Sequence, residues 1–131
     1  MRMLKISQQT TREVWLKKSS DTVLKNIDSI FEIIRKFEPN AELRYNKYYL
    51  GIWVDGRSYN FVTFTPKKKF FHLDLKLDRS EGNDSKFEQA GIEVYDYWLK
   101  SGRYHLSLDS LPSKEGLEIL STLLEQSYKE Y

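Results

Sequence analysis

The chain has 131 residues, a mass of 15.6 kDa and a net charge of +2. With 40% apolar and 31% charged residues it suits one folded domain, and two would leave neither much of a core. The absence of cysteine excludes a disulfide scaffold, an iron–sulfur cluster, a thiolate zinc site and a cysteine nucleophile together. No apolar run exceeds three residues, far from the roughly 20 that span a bilayer. Met1-Arg-Met-Leu-Lys lacks the apolar stretch of a secretory signal, so a cytoplasmic protein with no membrane partner is expected.

The small net charge hides an asymmetry. Residues 1–40 carry +3, residues 41–79 carry +4, and residues 80–131 carry −5. The middle third also holds nine of the 19 aromatic residues. Cations interleaved with rings suit nucleic acid, because cations meet phosphates and rings stack on bases. The same pattern suits strands that bury aromatics on one face and expose Lys and Arg on the other.

Residues 1–19 are polar and poorly periodic, and read as an N-terminal arm or short helix docking through Trp15; residues 20–131 read as a single α+β domain. Val23, Leu24, Ile27, Ile30, Phe31 and Ile34 recur at helical spacing over 20–37. Ser19, Ser20 or Asp21 caps that helix, Arg35 and Lys36 suit its C-terminal dipole, and Pro39 stops it. Strands follow at 43–45, 48–54 and 59–65. Asp55-Gly56 between the last two is a strong hairpin signal, because both turn positions want positive φ. Pro66 and Lys67-Lys68-Lys69 make the next turn. Over 70–77, Phe71, Leu73, Leu75 and Leu77 alternate with His72, Asp74 and Lys76. Residues 79–85 read as a polar loop and 86–99 as a short helix followed by an irregular stretch. A last strand spans 104–108, and Ser113 caps a final helix to about Tyr128. The expectation is an antiparallel sheet of about four to five strands packed on an N-terminal and a C-terminal helix, its other face left to solvent or a partner.

Few residues suggest chemistry outright. Asp74-Leu75-Lys76 has the acid-x-Lys form of metal-dependent nucleases, with Asp55, 19 residues upstream, as the second carboxylate. His72 and His105, the only histidines, sit in alternating strands, where a surface or core role is the simpler reading. The single glycines build neither a phosphate loop nor a dinucleotide fingerprint, and no Gly-x-Ser-x-Gly elbow occurs, so no cofactor, bound metal or catalytic residue is expected. Lys67-Lys68-Lys69 offers three cations to a phosphate, or simply blunts a sheet edge.

Tyr45-Asn-Lys-Tyr-Tyr-Leu-Gly-Ile, then Asn60-Phe-Val-Thr-Phe-Thr-Pro-Lys-Lys-Lys and Gly102-Arg103-Tyr104, carry a resemblance spanning about Trp15 to Tyr128. The chain resembles a domain of unknown function found alone or as the C-terminal accessory domain of larger bacterial and archaeal proteins. That resemblance implies an α+β module with no established reaction. The residues of the matching segments suggest how they work. Gly51 allows close approach to its strand, Asn60 caps backbone groups after the hairpin, and the tyrosine hydroxyls seek polar partners. Tyr45, Lys47, Tyr49, Asn60 and Lys67, extended by Lys68 and Lys69, are expected to form one ligand- or nucleic-acid-binding face. A sheet face bearing Trp53 and Tyr59 adds to it. The leading expectation is therefore a non-enzymatic binding module, with nucleic acid or a protein as partner. The alternatives are a metal-dependent nuclease on Asp55, Asp74 and Lys76, and a small-molecule sensor with a pocket between sheet and helices.

Overall fold

A computed structural model describes residues 9–131. Among them are four helices and seven strands, so the sheet is larger than the expected four to five strands. Helix α1 spans Arg12–Lys18 and α2 Asp21–Phe37. Strands β1 (Ala41–Tyr45), β2 (Leu50–Val54), β3 (Arg57–Ser58), β4 (Val62–Pro66) and β5 (Phe71–Lys76) follow. Then come α3 (Glu81–Gln89), β6 (Glu93–Trp98), β7 (Arg103–Leu108) and α4 (Lys114–Glu130). The strand order is β1-β2-β4-β5-β7-β6, with β3 on the end of β2 and every pairing antiparallel.

The two long helices form as their residues dictate. Ser20 accepts from the Val23 amide (3.2 Å), Asp21 occupies the first turn, and Arg35 and Lys36 the last. Ser113 accepts from the Gly116 amide (3.1 Å) at the start of α4. Ile27, Ile30 and Ile34 of α2 and Leu120, Leu123 and Leu124 of α4 are fully buried against Leu50, Ile52, Phe64, Leu73 and Leu106 of the sheet. Helix α1 docks through Trp15, which is buried and donates its indole N–H to the Asn46 carbonyl (2.8 Å). Arg12 forks onto both oxygens of Asp28 (3.1 and 2.9 Å), tying α1 to α2.

Asp55 (φ 52°) and Gly56 (φ 79°) make the expected two-residue turn between paired Val54 and Arg57. The strand after it is broken. Asn60 and Phe61 interrupt it, the Asn60 Oδ1 accepts from the Ile52 amide (2.8 Å), and pairing resumes only at Leu50↔Phe64. The side chain thus takes a ladder bond that the backbone gives up, in the capping role expected of Asn60.

Two elements depart from expectation. Residues 81–85, expected in a loop, begin α3: Ser80 accepts from the Asn83 amide (3.0 Å), and Phe87 is buried. The stretch 93–98, expected to be irregular, is edge strand β6. A bulge between Val94 and Asp96 puts Tyr95 and Asp96 consecutively on one face, so the alternation that marks a strand is lost.

At the other end of the sheet, Phe37, Tyr59, Phe61 and Tyr128 form an aromatic cluster with centroid separations of 5.2–6.3 Å. The Tyr128 hydroxyl donates to Glu38 Oε1 (2.6 Å); this bond, and then burial, pushes the phenol up to about 12 from 10. A folded pKa above the unfolded one favours the protonated form, so this contribution is whole below pH 10 and is lost as pH rises through 12. Urea stability should therefore fall between pH 10 and 12, and less steeply in Tyr128→Phe. Equal slopes would show that the bond contributes nothing.

Candidate functional site

Helices cover one face of the sheet and leave the other open. Alternation assigns the open face residue by residue: Arg44 on β1, Gly51 and Trp53 on β2, Thr63 and Thr65 on β4, His72 and Asp74 on β5, Arg103, His105 and Ser107 on β7. Tyr95 and Trp98 of β6 complete it.

At its centre is a cleft of about 370 Å³ lined by Tyr49, Asn60, Asp74, Trp98, Arg103 and His105, among others. Asp74 and His105 are directly opposite on β5 and β7, and the His105 Nδ1 lies 2.5 Å from Asp74 Oδ1. Nδ1–H donation to the carboxylate fixes the ring and leaves Nε2 for other partners. His105 is 2% exposed, and the Trp98 indole packs over it at 4.0 Å between centroids. Trp98 itself is 54% exposed and is held by an N–H bond to Asp96 Oδ2 (2.9 Å). Arg103 donates through Nη2 to the Asn60 carbonyl (2.6 Å).

Among the described residues, two buried side-chain polar atoms lack a hydrogen-bond partner: Arg103 Nη1 and His105 Nε2. Both residues line this cleft. Larger grooves occur, one of about 780 Å³ between Phe70, Gly91 and Pro112 and one of about 530 Å³ along α3 and β6, yet neither is lined by such an atom. Buried polar groups in folded proteins are nearly always satisfied, so these two atoms single out the smaller cleft as the candidate site.

Around the cleft are rings. Arg44 stacks on Trp53 at 4.1 Å; Tyr49 and Tyr95 are 36% and 45% exposed. Tyr49 lies over Gly51, where an added Cβ would stand 2.7 Å from Asn60 Oδ1 and 3.1 Å from Tyr49 Cε2. This is the close approach expected of Gly51. His72 packs against Tyr95 at 4.7 Å, and the Tyr95 hydroxyl reaches its Nδ1 at 3.3 Å. Burial first, and then the charge of Lys67, hold His72 below its usual pKa. The lowered pKa favours the uncharged ring, whose tautomer sets which of the Tyr95 hydroxyl and Nδ1 donates.

Of the seven residues expected to share a binding face, the structure brings Tyr49 and Asn60 into the cleft and sets Lys67 near His72. Tyr45 is elsewhere. It pairs with buried Leu50, so its side chain shares the helix side, where its hydroxyl accepts from Arg12 (2.7 Å). Lys47 sits in the β1–β2 loop with its ammonium over Tyr48 at 5.5 Å. Lys68 donates to the Lys17 carbonyl (3.3 Å), and Lys69 lines the larger groove. Trp53 is on the open face, whereas Tyr59 belongs to the aromatic cluster and donates to the Tyr128 carbonyl (3.0 Å). Asp55 and Asp74 do not converge: four residues of strand, about 13 Å, separate the levels of the sheet on which they lie. Lys76 donates to the Ser101 carbonyl (2.8 Å), and no three His, Asp or Glu among the described residues could hold a metal ion.

His105, Arg103 and Trp98 were missed by sequence reasoning. The alternation of 103–108 did signal that Arg103 and His105 share a polar face. That this face meets Asp74 depends on β7 inserting between β5 and β6, which no local signal encodes.

Comparisons of the chain with family models, with curated proteins and with solved structures find no match. The helices of the described residues include none long and apolar enough to cross a membrane.

Proposed function

We propose that this chain is a non-enzymatic binding module that takes single-stranded nucleic acid on its open sheet face. The observation that carries this reading is the uncovered face itself, with exposed rings of Tyr49, Tyr95 and Trp98 set among Arg44, Arg103 and Lys67. Rings on an open antiparallel sheet stack with unpaired bases, and cations between them meet the backbone. A duplex hides its base faces, so single strands are preferred. A cytoplasmic site of action and membership of the accessory-domain family named above belong to the same proposal and rest on the sequence motifs.

Fluorescence anisotropy with labelled single- and double-stranded DNA and RNA, from low to physiological salt, tests it. Single strands should bind more tightly, and affinity should fall with salt. Trp98→Ala should weaken binding by about 1–3 kcal/mol, the worth of one stacked base. Lys67→Ala should lower the salt slope by roughly one. Absence of binding at low salt would end the reading and leave a protein partner as the next one to test.

A further inference from the structure

We infer that Arg103 and His105 form a phosphate seat beneath Trp98. The inference rests on the open-face reading for the phosphate's source, a nucleotide strand, but not for its chemistry. Arginine is always charged, and Arg103 spends Nη2 on the Asn60 carbonyl and leaves both protons of Nη1 buried without a protein acceptor. Such a donor calls for an acceptor oxygen, and charge favours an anionic one. His105 stands two residues along the same strand and face, about 7 Å away. Its Nδ1 is committed to Asp74, so Nε2 is the ring atom left for a ligand. Asn60 adds a donor, because its Oδ1 is held by the Ile52 amide and its amide nitrogen has no hydrogen-bond acceptor among the described residues.

The seat is covered in this structure. The Trp98 indole packs on the imidazole, and it ends a bulged edge strand, next to the turn of the β6–β7 hairpin. Entry of a phosphate displaces the indole, and the freed ring stacks on the attached base. One nucleotide unit is then gripped at both ends by groups two strands hold in register.

The test is a long-range proton–nitrogen NMR titration of the His105 ring with adenosine 5′-monophosphate and with adenosine, repeated in Arg103→Gln and Arg103→Lys. Anisotropy with a single-stranded oligonucleotide is run on the same samples. The monophosphate should shift His105 Nε2 and change Trp98 fluorescence, while adenosine should not. Arg103→Gln should weaken the monophosphate roughly tenfold or more, the effect of one charge-assisted bond. Arg103→Lys should recover only part, since it keeps the charge and loses the fork. Lys25→Ala, on the far side of α2, is the unaffected control. Equal effects of monophosphate and adenosine, or a folded Arg103→Gln that binds as well as the parent, would overturn the seat. If the oligonucleotide binds while His105 does not respond, the seat falls and the open-face reading stands. If the monophosphate binds and the oligonucleotide does not, the seat serves a free nucleotide and the strand reading falls.

Discussion

Phe61→Ala is expected to destabilise the domain by about 3–5 kcal/mol, the usual loss for a large buried aromatic. Phe61 is fully buried where the strand after the hairpin breaks, and its ring meets Phe37 (6.3 Å), Tyr59 (6.0 Å) and Tyr128 (5.5 Å). It therefore joins α2, the sheet and α4 at one point. Its neighbours are themselves aromatic and fixed, Tyr59 and Tyr128 through hydroxyl bonds, so the cavity cannot collapse cheaply. For a chain of this length the midpoint of thermal unfolding should drop by roughly 10–20 °C. A fall of only a few degrees would mean that the cluster repacks, and that α2 and α4 are held to the sheet mainly by their aliphatic contacts.

Gly116→Ala should also destabilise, although exchanging Gly for Ala inside a helix ordinarily gains up to about 1 kcal/mol. The reason is contact with backbone. A Cβ on Gly116 would stand 2.5 Å from the Ala90 carbonyl oxygen and 2.9 Å from Pro112 Cβ. Neither neighbour can rotate away, so α4 must move off the end of α3, at about 1–3 kcal/mol. Gly82→Ala on α3 is the internal comparison: its Cβ would meet nothing closer than Ser80 Oγ at 3.8 Å, and the exchange should be neutral or stabilising. Urea denaturation of the two variants checks the contrast. A stable Gly116→Ala would show that the α3–α4 contact gives way easily.

The sequence by itself determined most of the scaffold. The helix on 21–37 followed from six apolar residues at one spacing and from Ser20, the hairpin from Asp55-Gly56, and the outward Asp74 from alternation with Leu73 and Leu75. These are local effects, settled by a residue's own torsions and near neighbours. The same logic set Gly51 and Asn60 apart as a close approach and a backbone cap, and both roles hold. Where tertiary context decides, the sequence was silent. Helix α3 was legible only from residue 86, because its first turns, 81–85, carry no apolar residue; the Ser80 cap starts it and one buried ring, Phe87, holds it. Strand β6 hides behind its bulge. The cleft needs three segments, Tyr49–Asn60, Asp74 and Trp98–His105, to meet across strands that are not neighbours in the chain. Tyr45, grouped with Tyr49 by proximity in sequence, goes to the opposite face because its register partner is Leu50. Periodicity fixes which residues of a strand share a face; only strand order and register, set by burial of the whole apolar side at once, fix which faces meet.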